Sequence, residues 1–187
     1  MQLATEQHYS RAEYLAMEET TQVRHEFLQG KIFAMSGGTF NHAVLSGNVY
    51  FALKTKLREK PCQPLNSDMR IHTPAGLDTY PDVSVYCGQP ELTDNNKTLL
   101  NPVVIIEVLS PTTRNYDQGE KFRLYRSIPS LQDYLLIDSE RIAASHFHKL
   151  ANADWLLHEH TVSSDIILLP AIEQPLSLAE IYENVPL

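Results

Sequence analysis

Apolar and polar positions change their period several times along this chain, and each change marks an element. In NPVVIIEVLSP, residues 101–111, alternation stops: Val103, Val104, Ile105, Ile106, Val108 and Leu109 make a nearly continuous apolar run, the pattern of a central strand covered on both faces. Glu107 interrupts that run. A carboxylate in such a place needs a cation, a metal or several donors, or it takes up a proton. Ser110-Pro111 ends the strand.

Around this strand the pattern predicts a layered α/β (α+β) fold, a mixed β-sheet flanked by helices. Ser10 and Glu13 stand in capping-box spacing and predict a short helix. HEFLQGKIFAMSG alternates about Gln29-Gly30, as a hairpin does, and NHAVLSGNVYFALKTKLREK reads as the main N-terminal helix, with basic residues toward its C-terminal end. CQPLNSDMRIHT and TYPDVSVYC read as two strands joined by a Pro74-Ala75-Gly76 turn, and GQPELTDNNKTLLN as a polar connection. TTRNYDQGEKFRLYRSI reads as a helix with Asp117 and Lys121 one turn apart and Phe122 and Tyr125 as its apolar side. LQDYLLID is a further strand, followed by an additional C-terminal hairpin from RIAASHFHKL and DWLLHEH, and Ser177 and Glu180 open a last helix.

Composition narrows the classes. At 187 residues and 43% apolar, without a shift of composition, residues 1–187 are expected to form a single domain. A formal net charge of −8 opposes nucleic-acid binding by overall attraction, so any phosphate-binding face has to be locally basic. Cys62 and Cys87 lack the spacing of a zinc ribbon or a redox pair, and are expected to be buried, reduced thiols. The N-terminus has no signal-type apolar core and no run nears the ~18 apolar residues of a membrane span, so a soluble, cytoplasmic protein with no membrane partner is expected.

The second acid of interest is Asp82 in YPDVSV. Pro81 forces Tyr80 to be extended and places Asp82 near a strand start or an edge. By side-chain alternation Asp82, Ser84 and Tyr86 share one face, as do Val103, Ile105, Glu107 and Leu109, so pairing of the two strands would let both carboxylates converge. Two carboxylates with a few further oxygens suit Mg²⁺ or Mn²⁺.

These segments, YPDVSV, VVIIEVLSPTTRNYDQGEKFRLYRSIPSLQDYLLID and HEFLQGKIFAMSGGTFNH, closely resemble the Uma-type restriction endonuclease family within the PD-(D/E)XK nuclease superfamily, over about Tyr9 to Tyr182. The resemblance implies a restriction-endonuclease-like core with a metal site at one end. It implies that Asp82 and Glu107 bind Mg²⁺ or Mn²⁺, with Glu26 as an additional acid, and that the chain is a metal-dependent DNA endonuclease. The superfamily's lysine stands two residues after the glutamate, where this chain has Leu109; the resemblance suggests a migrated lysine, Lys121, reaching in from the following helix. A homodimer is expected from the resemblance alone. The alternative is a nuclease-fold module that binds nucleic acid or regulates without catalysis, favoured by the missing lysine and the acidic charge.

Plainer roles stand beside these. Asp82 could cap a turn, Glu107 could pair with a structural arginine, and Lys121 could be a solvated partner of Asp117. Glu26 could be an exposed strand residue, and His42 could help cap a helix or face the site. Arg114, Arg123 and Arg126 flank the site and are candidates for phosphate contacts, whereas Lys54, Lys56, Arg58 and Lys60 read as a solvated helix end. His146, His148, His158 and His160 would share a face, able to bind zinc, if their hairpin has a three- or five-residue turn; a polar solvent face is the commoner explanation.

Overall fold

The computed structural model describes residues 8–35, 37–111 and 113–187. It has a mixed α+β architecture with two mixed sheets, and the expected elements are present with revisions, among them two short strands, Leu92–Thr93 and Thr98–Leu99, inside the segment expected to be a polar connection. Helix α1 (Arg11–Glu18) begins with the Ser10/Glu13 capping box. Strands β1 (His25–Leu28) and β2 (Lys31–Ala34) form the expected hairpin, whose turn residues Gln29 and Gly30 both take positive φ, 48° and 88°. Thr39 caps α2 (Phe40–Lys56).

The first revision concerns the strand pair on either side of the Pro74-Ala75-Gly76 turn. Each predicted strand breaks in two, giving β3 (Cys62–Asn66) and β4 (Arg70–His72) before the turn, β5 (Leu77–Thr79) and β6 (Val83–Cys87) after it. The first break is a local turn in which Asn66 Oδ1 accepts the Asp68 N–H at 3.2 Å. The second contains Tyr80-Pro81, where Pro81 has no N–H to donate to a ladder. The chain uses the two breaks to leave one sheet, form the β4–β5 hairpin in the other, and return.

The remaining strands are β7 (Leu92–Thr93), β8 (Thr98–Leu99), β9 (Val104–Leu109), β10 (Asp133–Asp138), β11 (Ala144–Lys149), β12 (Trp155–His160), β13 (Ile166–Leu169) and β14 (Gln174–Ser177). The main sheet runs β12-β11-β10-β9-β6-β3, with β9 and β10 parallel, so the apolar run around Glu107 is an inner strand buried throughout. The smaller sheet runs β2-β1-β5-β4-β8-β7. The predicted C-terminal hairpin extends the main sheet as β11 and β12; a further hairpin, β13 with β14, follows it and was not foreseen.

The second revision is a disulfide. Cys62 and Cys87 are bonded to each other, not reduced. They lie 25 residues apart in the chain but opposite each other in the β3–β6 register, a proximity that sequence spacing does not reveal.

The main sheet separates two cores. On one face Val104, Ile106, Val108, Leu135 and Ile137 pack with Leu45, Val49 and Leu53 of α2 and with the C-terminal Leu176, Leu178 and Ile181. On the other face Ile105, Leu109, Tyr134 and Leu136 pack with Phe122, Leu124 and Tyr125 and with Ile71 and Leu77 of the smaller sheet. That second face carries Glu107. The segment covering it is the third revision, since its helix is interrupted: α3 (Arg114–Tyr116), a π-helical turn (Asp117–Lys121) and α4 (Phe122–Tyr125). The last helix, α5 (Leu178–Ile181), starts at the Ser177/Glu180 capping box. Lys56 at the end of α2 bonds the Pro175 carbonyl and Glu180 at 2.9 Å, so this helix end docks on the C-terminal segment.

Candidate active site

Asp82 stands one residue before β6. Continuing the β6–β9 register, in which Val83 faces Ile106, places Asp82 opposite Glu107. The chain bend at Tyr80-Pro81 and the buried inner strand therefore bring the two acids together, as the alternation of side chains implied. Asp82 Oδ2 accepts the Val108 N–H at 2.7 Å, and Glu107 Oε2 lies 3.4 Å from the Asp82 N–H. His42, in the first turn of α2, reaches Asp82 Oδ2 with Nε2 at 3.1 Å.

Lys121 meets them from the π-helical turn. Its Nζ lies 2.9 Å from Glu107 Oε1, 2.9 Å from Glu26 Oε1 and 3.6 Å from Asp117 Oδ1. Tyr134 fixes the covering helical segment: Phe122 stacks on its ring at a centroid distance of 5.1 Å, Tyr125 packs at 5.4 Å, and its hydroxyl donates to the Asp117 carbonyl at 3.0 Å. A π turn holds one more residue than an α turn and recurs at functional sites; here it carries both Asp117 and Lys121. Leu109, at the superfamily's lysine position, is core, packed on the same face as Ile105. Glu26 arrives from β1 of the smaller sheet and also accepts the Thr79 hydroxyl.

All four residues singled out in the sequence, Glu26, Asp82, Glu107 and Lys121, thus line one cavity of about 650 Å³. Lys121 and Glu107 are each only 5% exposed, so the solvated role for Lys121 does not apply. Two residues with other expected parts join them. Asp117 is buried among the same charges, and Tyr125 donates its hydroxyl to Glu107 Oε1 at 2.7 Å. In the sequence, Asp117 looks like the outer half of an i,i+4 surface pair and Tyr125 like an apolar helix position. Only the packing of the helical segment against β9 gives them their place.

Burial pushes the Glu107 carboxyl up to about 7; Lys121 opposes the shift, and Asp82 and Asp117 add to it. Asp117 moves upward too, for burial first, with Lys121 again opposing. Burial works against the Lys121 ammonium, yet Glu107, Tyr125, Glu26 and Asp117 outweigh it and hold its pKa above the usual lysine value. The Asp82 hydrogen bond raises His42.

The donor set fits a hard divalent cation. Four carboxylates, Glu26, Asp82, Glu107 and Asp117, share the pocket with one ammonium and one imidazole, so the acids outnumber the cations, and neighbouring acids add to the upward shifts that burial gives Glu107 and Asp117. The flanking arginines are less available than the sequence suggested. Arg114 forks onto Asp138 at 2.6 and 3.0 Å, Arg123 pairs with Glu120 at 2.6 Å, and Arg126 lies 5.1 Å over the Phe122 ring.

Among known proteins, the family model described as "Putative restriction endonuclease" (Uma2) matches residues 11–179. Two uncharacterized proteins of Synechocystis sp. are 37% identical to this chain. One, slr1290, aligns over 174 residues, covering 92% of this chain and 90% of that protein. The other, sll1609, aligns over 161 residues, covering 85% and 91%. A crystal structure from Anabaena variabilis, described as "a putative nuclease belonging to DUF820", superposes with a TM-score of 0.71 at 16% identity, covering 87% of this chain and 91% of that one, which establishes a shared fold. Among the described residues no helix is long and apolar enough to cross a membrane.

Proposed function

The chain belongs to the Uma2 family, described as "Putative restriction endonuclease", and from that premise we propose that it is a metal-dependent DNA endonuclease of the PD-(D/E)XK type. The observation that carries this reading is the convergence of Asp82, Glu107 and Lys121 in one pocket, with the lysine supplied by the covering helical segment and core leucine at position 109. Asp82 and Glu107, with Glu26 beside them, would hold Mg²⁺ or Mn²⁺. When bound, the ion supplies charge neutralisation at the scissile phosphate and acidity to a water. The protein's own groups do the rest. The Val108 N–H and His42 orient the Asp82 carboxylate; Tyr125 and Lys121 fix Glu107 through Oε1 and leave Oε2 toward Asp82. Lys121, a compact ammonium on a long stem, would stabilise the extra negative charge of the pentavalent transition state.

One observation favours the second reading, a nuclease-fold module without catalysis: two of the arginines that flank the site in the sequence, Arg114 and Arg123, are tied to Asp138 and Glu120, which reduces the positive charge they offer a DNA backbone. Incubation of a plasmid with the protein and Mn²⁺ separates the two. The endonuclease reading expects cleavage that EDTA and Asp82→Ala both abolish. Intact plasmid under all conditions would favour the module.

A further inference from the structure

We propose that Asp133, His146 and His148 form a second metal site, which takes a Zn²⁺-class cation as a structural clamp on the opposite face of the main sheet from Glu107. Asp133 opens β10 and lies opposite His148 in the β10–β11 register; His146 lies two residues away on the same face, opposite Leu135. His146 Nε2 and His148 Nδ1 each lie 2.8 Å from the same oxygen, Asp133 Oδ1. One ligating atom from each of the three residues falls within 4.8 Å of the other two. Asp133 is fully buried and His146 is 4% exposed, so small movements of side chains already held by the sheet would close a coordination sphere.

The carboxylate is oriented from behind. Ala171 donates its N–H to Asp133 Oδ2 at 2.9 Å, which leaves Oδ1 to face the two imidazoles, the kind of outer hydrogen bond that fixes a metal ligand. The turn between β11 and β12 spans residues 150–154, and the register sets His146 opposite His158 and Ala144 opposite His160. All four histidines therefore share one face, with His158 opposite His146. Two imidazoles and one carboxylate form a donor set for zinc and its neighbours, while Mg²⁺ and Mn²⁺ prefer oxygen. A cation there would tie β10 and β11 to the Pro170–Ile172 turn.

The competing account is that the imidazoles only donate hydrogen bonds to a buried acid. Calorimetric titration of metal-stripped full-length protein with ZnCl₂ in excess Mg²⁺ decides, run on wild type, His148→Ala and Glu107→Gln. The proposal expects one zinc per chain in wild type, unchanged affinity in Glu107→Gln, and affinity lower by about tenfold or more in His148→Ala. His148 is half-buried, so its variant is the milder one for folding. Should it still fail to fold, Co²⁺ added to wild type must give the visible absorption of a nitrogen-ligated site. No zinc uptake in wild type, uptake that survives His148→Ala, uptake lost with Glu107→Gln, or no Co²⁺ band would each overturn the proposal.

Discussion

Glu107 and Asp133 are buried acids on neighbouring strands of one sheet, on opposite faces, and their surroundings offset the burial in contrasting ways. Asp133 has a backbone N–H on one oxygen and two imidazoles on the other. Glu107 has one tyrosine hydroxyl, a backbone N–H at the long distance of 3.4 Å, and one ammonium that it shares with Glu26 and Asp117. The difference lies in what each site lacks. Around Asp133 the donors suffice for the acid, and nitrogen is left over. Around Glu107 the acids exceed the cations; burial first, and Asp82 and Asp117 after it, push the carboxyl upward against Lys121.

The largest expected effect comes from removing the cation shared by the acidic cluster. Lys121→Met leaves Glu26, Glu107 and Asp117 without their buried partner, and should cost about 3 to 5 kcal/mol of stability in EDTA, measured by denaturant melts. Mn²⁺ should return part of that loss, because the ion can take over the ammonium's electrostatic role, while cleavage should remain lower by roughly 10² or more. Asp133→Asn tests the other site. It turns one acceptor oxygen into an NH2, so either the Ala171 N–H or the two imidazoles lose their acceptor, and it should cost about 1 to 3 kcal/mol while leaving cleavage and the Mn²⁺ response intact.

The same contrast is legible only in part in the sequence. Glu107 stands out because a single charge breaks an apolar run, and Asp82 because Pro81 marks a strand boundary whose register then pairs the two acids. The hairpin at Gln29-Gly30 and both capping boxes are local signals, and they appear where the local pattern puts them. What local pattern cannot carry is partnership between distant segments. Asp117 lines the same cavity as Glu26 and Asp82, which come from distant parts of the chain, Tyr125 meets Glu107 across a helix–sheet interface, and Cys62 finds Cys87 through strand register. Asp133 escaped notice for the same reason. It reads as the polar first residue of a strand until β11 sets His146 and His148 beside it.

Acidity sharpens the comparison further. The folded protein keeps a proton on Glu107 to about pH 7 that the unfolded chain releases near 4.5, and Asp117 acts in the same sense. His42, raised by Asp82, contributes stability present below its ordinary 6.5 and lost as pH rises through its higher folded value. Glu107 and Asp117 make metal-free stability fall as pH rises from the ordinary carboxylate range toward 7, and His42 extends the decline above 6.5, since in each case the folded state binds more protons. Denaturant melts in EDTA from pH 4.5 to 7 should show that decline, and it should be shallower in Glu107→Gln. With Mn²⁺ present the ion's stabilisation should grow with pH, because its ligands must be deprotonated. A smaller effect is expected from Tyr125→Phe, which removes one donor from Glu107 and should cost about 1 kcal/mol in the same melts.

The central claim is that the acids around Glu107 await a divalent cation, and the stability of Glu107→Gln with and without Mn²⁺ tests it most directly. Glutamine removes one charge at nearly constant volume, and Lys121 keeps Glu26 and Asp117 as partners. In EDTA the variant should therefore be as stable as wild type or more stable. Mn²⁺ at about a hundred times its dissociation constant should stabilise wild type by roughly 2.7 kcal/mol, and the variant much less. A loss of about 3 to 5 kcal/mol for the variant in EDTA, with no response of wild type to Mn²⁺, would instead mark Glu107 as half of a structural ion pair and contradict the account.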